Sequence, residues 1–260
     1  MCVHEVTQSL EGEIFALRGD QHAGRRCERV QGEQAQRRRA VDDDALDSGL
    51  RRGQRSAQQH FAVAQCGELD LGTGEATLER AALATGEPGL QLVPSHIDLA
   101  GAEIELATLS ARETRLRTAL TAAPPRVECV IIDCPPSLGL LTLNALAAAS
   151  AMLIPTQCEY FALEGLRHLM YTHQLVRSHL NPRLAISGIL MTQFDARTTL
   201  SWDVIQSVRR SYPHHVLETL IPRNVRISEA PSHGKSVIEY DPTCRGAAAY
   251  RALAKELLER

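Results

Sequence analysis

The chain has 260 residues, and 44% of them are hydrophobic, so it can bury the core of one large α/β domain or two small ones. Its formal net charge of -3 excludes a polycation, so any contact with nucleic acid would need a local basic patch. The seven cysteines form no Cys-x-x-Cys pair, which argues against a zinc site or a disulfide framework and favours a reduced, cytosolic protein. The most apolar stretch, residues 138–155, is interrupted by polar residues and indicates a helix plus a buried strand, not a membrane span.

Residues 21–60 differ in composition from the rest of the chain. They are rich in Arg, Gln and Asp, contain almost no large apolar residue and have no helical or strand period. This composition predicts a disordered polar segment. A basic arm that grips nucleic acid is the alternative, although three consecutive aspartates at 42–44 lie in its middle.

From residue 90 onward, apolar runs of strand length alternate with stretches of helical period. The predicted strands are residues 90–94, 127–133, 151–155, 184–192 and 216–221. The predicted helices are residues 98–120, 140–149, 161–179, 200–211 and 245–260. This alternation predicts an α/β fold, a mostly parallel sheet with helices on both faces.

An acid follows the buried run at residues 130–137, which reads VIIDCPPS. Asp133 ends the predicted strand, and the two prolines stop it because proline cannot donate to a ladder. Ligands collect at the carboxyl ends of parallel strands, where an acid suits a water-bound Mg²⁺ beside a nucleotide. A cap for the next helix, or a solvated loop residue, is an equally good interpretation of this motif alone.

Several longer strings carry a resemblance to a known family: VPSHIDLAGAEIEL, VIIDCPPSLGLLTLNAL, IPTQCEYFALEGL, LNPRLAISGILMTQFDART and IPRNVRISEAPSHGKSVIEYDP. From about residue 77 to the end, the chain resembles the ParA/Soj-type chromosome and plasmid partition ATPases, of the deviant P-loop class. The resemblance implies a P-loop NTPase-like fold with ATP and Mg²⁺ as cofactors. It makes Asp133 the acid that holds the Mg²⁺ hydration shell, and it places Pro222, Arg223 and Asn224 in the adenine-contacting loop. For that loop, a plain turn begun by Pro and Asn is the alternative.

The same resemblance implies particular partners. It places Arg197 and Arg226 on the surface that binds DNA without sequence preference in the ATP-bound homodimer, and Arg209 and Arg210 could extend that patch. It also implies a ParB-type centromere-binding partner, no membrane contact and a cytoplasmic, nucleoid-associated protein. A solvated arginine paired with a neighbouring acid, such as Asp195, is the alternative.

The N-terminal part departs from the family pattern. The phosphate-binding loop, Lys-Gly-Gly-x-Gly-Lys-Thr-Thr, is missing, and the first lysine of the chain is Lys235. Residues 13–17 could be the remains of the family's first strand. We therefore divide the chain into a divergent segment, residues 1–76, and a ParA-like domain, residues 77–260.

Codons exist for which residues 36–39, shifted by one base, encode Lys-Gly-Gly-Val, and residues 42–44 encode threonines. Our hypothesis is that about residues 18–75 are translated out of frame, and the alternative is a genuine divergent N-terminus. The resemblance implies an ATPase, whereas the missing loop predicts a catalytically impaired chain with no assignable catalytic residue. An inactive remnant, a nucleotide-free binding module and a MinD-type cell-division-site ATPase are the alternatives.

Overall fold

The computed structural model describes residues 14–19, 61–65, 81–85, 87, 89–94, 99–122, 129–135 and 137–260. Within these residues one sheet of eight strands has the order β3-β4-β2-β5-β1-β6-β7-β8. The strands are β1 (Ile14–Gly19), β2 (Phe61–Gln65), β3 (Leu83–Ala84), β4 (Leu90–Val93), β5 (Cys129–Cys134), β6 (Ala151–Gln157), β7 (Ala185–Phe194) and β8 (Val216–Pro222). The predicted polar segment, residues 21–60, lies outside the described residues.

Helices pack against the sheet and confirm the predicted α/β class. They are α1 (Leu99–Thr108), α2 (Arg115–Ala122), α3 (Leu140–Ala148), α4 (Ala162–His179), α5 (Thr199–Ser211), α6 (Val225–Glu229), α7 (Val237–Tyr240) and α8 (Arg245–Leu258). A 3-10 turn, Ala230–His233, joins α6 to α7. Strands β5 to β8 and helices α3, α4, α5 and α8 lie where the apolar pattern predicts them, because each has apolar surface to bury.

The buried side chains form two main clusters, one on each face of the sheet. The larger cluster takes residues from α1 to α5, among them Leu106, Leu120, Leu146, Val176 and Ile205. The second takes residues from α6, α7 and α8, among them Ile227, Val237 and Leu253, and packs them on Leu190 and Leu217. The molecule is therefore layered helix, sheet, helix over β6, β7 and β8.

Strand β1 confirms that residues 13–17 contribute a strand, but its direction is reversed. It lies between β5 and β6 and pairs antiparallel with both. Ile14 lies opposite Cys134, and Gly19 lies opposite Cys129. The chain therefore leaves β1 at the edge where β5 begins, not at the edge where β5 ends.

The predicted helix over residues 98–120 is wrong as a single element, because α1 and α2 are separated by a turn. Ala111 takes a positive φ of 52° in that turn. The Asn144 side chain explains the break: its amide donates to the Arg112 carbonyl at 2.7 Å and its oxygen accepts from the Leu116 N–H at 3.2 Å. Asn144 is buried, so its side chain must have hydrogen-bond partners. These partners are backbone groups at the turn, and the bonds to them interrupt the helix that the apolar period predicts.

Candidate functional site

One edge of the sheet collects the carboxyl ends of six strands, which are β5 to β8 together with β2 and β4, both parallel to β5. Strands β6, β7 and β8 are mutually parallel, and β5 runs the same way because β1 is antiparallel to both β5 and β6. Asp133, Gln157, Phe194 and Pro222 therefore lie at or near the same edge. This is the edge at which open α/β sheets bind ligands.

Asp133 is buried at this edge, with 5% of its surface exposed. It does not cap the following helix, because α3 has Gly139 at its N-cap and no side-chain cap there. Instead, the Glu103 carboxylate accepts from the Leu141 N–H at 3.5 Å, and a Cβ on Gly139 would collide with that carboxylate. Sequence reasoning missed Glu103, since nothing in its spacing indicates a partner in another helix.

The residues at this edge suit the metal ion of a magnesium nucleotide but not its phosphates. A carboxylate such as Asp133 suits the hydration shell of Mg²⁺, which prefers oxygen ligands. The phosphates need a loop of backbone N–H groups or a helix N-terminus after an adjacent strand. Strand β5 has two neighbours, β1 and β2: the chain beyond Gly19 leaves β1 at the opposite edge, whereas β2 is parallel to β5 and ends at this edge with Gln65 opposite Asp133. Among the described residues, no loop from β1 therefore reaches Asp133.

The predicted adenine loop continues directly from β8. The Arg223 N–H donates to the Phe194 carbonyl at 2.9 Å, which ties this loop to the end of β7. Asn224 is the N-cap of α6, and its side-chain oxygen accepts from the Arg226 N–H at 2.8 Å. The turn interpretation therefore describes the local geometry of Asn224, and adenine contact by Pro222, Arg223 and Asn224 stays a prediction.

Arg197 follows β7 in an exposed turn, and 87% of its side chain is accessible. Its guanidinium binds both carboxylate oxygens of Asp195, with Nε–Oδ1 at 2.9 Å and Nη2–Oδ2 at 2.7 Å. The Arg197 backbone N–H also donates to Oδ1 at 3.0 Å. The side-chain bonds from Arg197, followed by this backbone bond, lower the pKa of Asp195 to about 2, and the nearby Arg223 charge acts in the same direction.

Arg226 follows β8 and is half exposed. Its Nη1 lies 2.8 Å from Oε2 of Glu229, and its Nε lies 3.5 Å from Oδ2 of Asp241. The Tyr240 hydroxyl donates to the same Glu229 oxygen at 3.4 Å. The hydrogen bond to Glu229 is the main cause of the raised pKa of Arg226.

The structure separates Arg209 and Arg210 from these two arginines. Both lie in the last turn of α5, which runs back from the end of β7 towards the start of β8. They therefore lie at the opposite edge of the sheet, where Arg209 contacts Glu218 at 3.4 Å. Trp202, in the first turn of α5, packs edge-to-face on Phe194.

Comparison with known proteins first defines the class. A model of the AAA domain family matches residues 45–186, more than half of the chain. The structure of cobyrinic acid a,c-diamide synthase from Mycobacterium smegmatis with bound ATP analogue and magnesium is 33% identical and superposes with a TM-score of 0.60, over 70% of this chain and 79% of that one. The fold is therefore that of the P-loop NTPase-like α/β proteins.

Curated relatives then define the family. The chain is 55% identical over 174 residues to the sporulation initiation inhibitor protein Soj of Bacillus subtilis, covering 67% of this chain and 69% of Soj. It is 50% identical over 193 residues to the chromosome partitioning protein ParA of Caulobacter vibrioides, covering 74% and 72%. The chain belongs to the ParA/Soj family of partition ATPases. Among its described helices, none is both long and apolar enough to cross a membrane.

Proposed function

We propose that this protein acts in DNA partition by binding duplex DNA without sequence preference through Arg197 and Arg226. The observation that carries the proposal is their placement: β7 and β8 end in register at Phe194 and Pro222, and each arginine follows its strand within a few residues. Both side chains are accessible at one edge. Guanidinium groups so placed can bind phosphate oxygens, and phosphate contacts fix position without reading sequence.

The proposal includes the setting in which the family works. The chain acts in the cytoplasm on the nucleoid, with a ParB-type centromere-binding partner. The names of the relatives, which are chromosome partitioning proteins, support this setting. The observation that no described helix is long and apolar enough to span a membrane is compatible with it.

The nucleotide half of the proposal is an incomplete ATP site. Asp133 is the residue that would hold the hydration shell of Mg²⁺, and Pro222, Arg223 and Asn224 would face the adenine. When bound, the metal would neutralise phosphate charge. The sequence lacks the family's phosphate-binding loop, and β1, within the part of the chain that the structure describes, leads away from this edge. The chain as written therefore hydrolyses no ATP and does not form the nucleotide-dependent homodimer.

The boundary between a divergent segment (1–76) and a ParA-like domain (77–260) is part of the same proposal, with the first segment read out of frame. Two experiments test it directly. Resequencing the gene should reveal a shift between about codons 15 and 80. An uninterrupted single frame, together with peptides across residues 39–51 in a mass spectrum of the native protein, would refute the frameshift.

Two alternatives remain distinct from this proposal. An inactive remnant would share the fold without the function, and a nucleotide-free binding module would bind its partner without ATP. A MinD-type protein would end in an amphipathic membrane helix, and α8 has a different role here. Ala247, Tyr250 and Leu253 on its inner face are buried in the core cluster against β8, so its apolar side is already used.

The test of DNA binding is a salt titration with random duplex DNA, with ATP, on the chain as written and on a version with its reading frame restored. Substituting Arg197 or Arg226 with Ala should weaken binding to all sequences alike and lower the salt slope by about one unit per lost phosphate contact. Arg209→Ala, at the opposite edge, is the matched control and should change neither. Unchanged affinity and slope in both Arg197→Ala and Arg226→Ala would place the DNA surface elsewhere.

A further inference from the structure

The two arginines assigned to DNA already have anionic partners within the chain. Arg197 makes a two-point ion pair with Asp195, and Arg226 makes a 2.8 Å ion pair with Glu229. These partners differ from that of Arg209, whose contact with Glu218 is longer, at 3.4 Å. The best-paired arginines of this half of the molecule are therefore those proposed to bind phosphate.

The geometry of the Asp195 pair resembles that of a phosphate contact. A guanidinium presents parallel N–H groups that fit two oxygens of a carboxylate or of a phosphate in the same way. Asp195 uses both oxygens on Arg197, and the Arg223 charge is close enough to act on it as well. Its side chain is 18% exposed, whereas that of Arg197 is 87% exposed. An incoming phosphate can therefore reach the guanidinium, and it meets a carboxylate already bound there.

Glu229 holds Arg226 in a similar way but with a second anchor. The Tyr240 hydroxyl donates to the Glu229 oxygen that Arg226 contacts, and the Tyr240 ring stacks on His233 with centroids 4.8 Å apart. If Arg226 leaves, Glu229 therefore keeps one hydrogen-bond donor. This lowers the cost of releasing the arginine to another anion.

We infer that Asp195 and Glu229 are internal competitors of DNA, so that binding at this edge exchanges a carboxylate for a phosphate on Arg197 and on Arg226. The inference rests on the proposed DNA-binding function and adds a control of affinity to it. Exposed ion pairs are weak, so the competition sets the affinity without blocking the surface. The chain consequently binds DNA more weakly than its arginines alone would allow.

A double-mutant cycle on the full chain tests this inference, with a random DNA duplex as the probe at one fixed salt concentration. Asp195→Asn keeps an oxygen for the Arg197 N–H and removes the charge. It should tighten DNA binding about two- to fivefold, the range that exposed ion pairs are worth. In the Arg197→Ala background the same change should have no more effect than the control. The control is Asp203→Asn, an equal charge change on exposed α5 at a residue with no ion pair in the described part of the chain.

Glu229→Gln with Arg226→Ala provides the second cycle, and circular dichroism confirms that each variant is folded. Tightening that disappears when the partner arginine is removed supports the inference. Equal tightening in both backgrounds, or the same tightening by Asp203→Asn, overturns it and leaves DNA binding itself intact. If neither the unchanged chain nor the Asp195→Asn variant binds the duplex, DNA binding is contradicted and the inference fails with it.

Discussion

Strand β1 divides the sheet into two flanks, one with β2 to β5 and one with β6 to β8, and helices cover the two flanks differently. On one side, β6, β7 and β8 are covered on both faces, by α4 and α5 on one and by α6, α7 and α8 on the other. On the other side, among the described residues, helices cover β4 and β5 on one face. On the second face Leu92 packs with Leu90 and Ile131 in a small cluster of its own.

This difference separates the proposed DNA-binding arginines from Asp133, the residue proposed to hold the hydration shell of Mg²⁺. Arg197 and Arg226 follow strands of the doubly covered flank, which has a core cluster under α6, α7 and α8 and shares the larger cluster with the other flank. Asp133 belongs to the flank that contains β5, where β1 runs away from the edge and the sequence lacks the family's phosphate-binding loop. The proposed adenine loop, residues 222–224, lies with the two arginines, so only the metal and phosphate part of the proposed nucleotide site belongs to the other flank.

The largest expected effect comes from truncating matched leucines in the two flanks. Leu217 is fully buried and packs closely on Gly188. A Cβ atom on Gly188 would lie only 2.5 Å from the Cδ2 atom of Leu217. Leu217→Ala should lower the free energy of unfolding by about 2–5 kcal/mol, since it leaves a cavity in a closely packed core. Leu92 is also buried, but among the described residues its cluster contains only Leu90 and Ile131, so Leu92→Ala should cost less, about 2 kcal/mol. Equal costs in urea unfolding would contradict the contrast between the flanks.

A smaller loss of stability is expected from removing the contact between α8 and the edge strand β8. The Glu256 carboxylate accepts from the N–H groups of Glu218 and Thr219 at 2.8 and 2.9 Å. Glu256→Ala should cost about 1–3 kcal/mol, the range for charged hydrogen bonds left unsatisfied. Lys255→Ala, an exposed neighbour, is the control and should be nearly neutral in the same unfolding experiment.

The same carboxylate predicts a pH dependence. Burial raises the pKa of Glu256, but the hydrogen bonds from Thr219 and Glu218 and the Arg260 charge outweigh burial, so the pKa lies below 4.5. A lowered pKa gives stability that is complete above pH 4.5 and is lost as the pH falls through the folded value. The Glu256→Ala variant should therefore lose less stability on acidification than the unchanged chain.

The smallest effect concerns His173, which α4 buries against the start of β7. Its Nε2 lies 3.0 Å from the Leu184 carbonyl. Burial lowers the pKa of His173 below 6.5 in spite of that hydrogen bond, and the Arg177 and His215 charges lower it further. Stability should therefore decline as the pH falls below 6.5, where the unfolded chain binds the proton more readily. The His173→Gln side chain can still donate to the Leu184 carbonyl but does not titrate. The free energy of unfolding of this variant should therefore change less than that of the unchanged chain between about pH 7.5 and about pH 5.5. An identical change in both proteins would show that His173 is not the cause.

Much of the fold follows from local pattern, and its exceptions have physical causes. Continuous apolar runs predicted β5 to β8 because strands covered on both faces leave that signature. The break between α1 and α2 depends on Asn144, a distant buried amide that no local window includes. The two-residue β3 and the short α6 and α7 lack the length that gives a period.

The candidate site was predictable to a similar degree. Strand ends place Asp133, Arg197 and the loop at 222–224 at one edge, and parallel pairing brings these ends together. The reversal of β1 could not be predicted, because an apolar run has the same alternation in both directions. The pairing of Arg226 with Glu229 follows an i, i+3 spacing, whereas its contact with Asp241 depends on how α6 and α7 fold together.

The most direct test of the account is steady-state ATP hydrolysis by the purified chain as written, with duplex DNA present, beside an Asp133→Asn variant and a chain whose reading frame is restored. The account predicts no turnover from the chain as written or from its variant, and turnover after restoration that Asp133→Asn abolishes. Sustained hydrolysis by the chain as written that disappears in Asp133→Asn would contradict it, because a complete phosphate site would then exist without the family's loop.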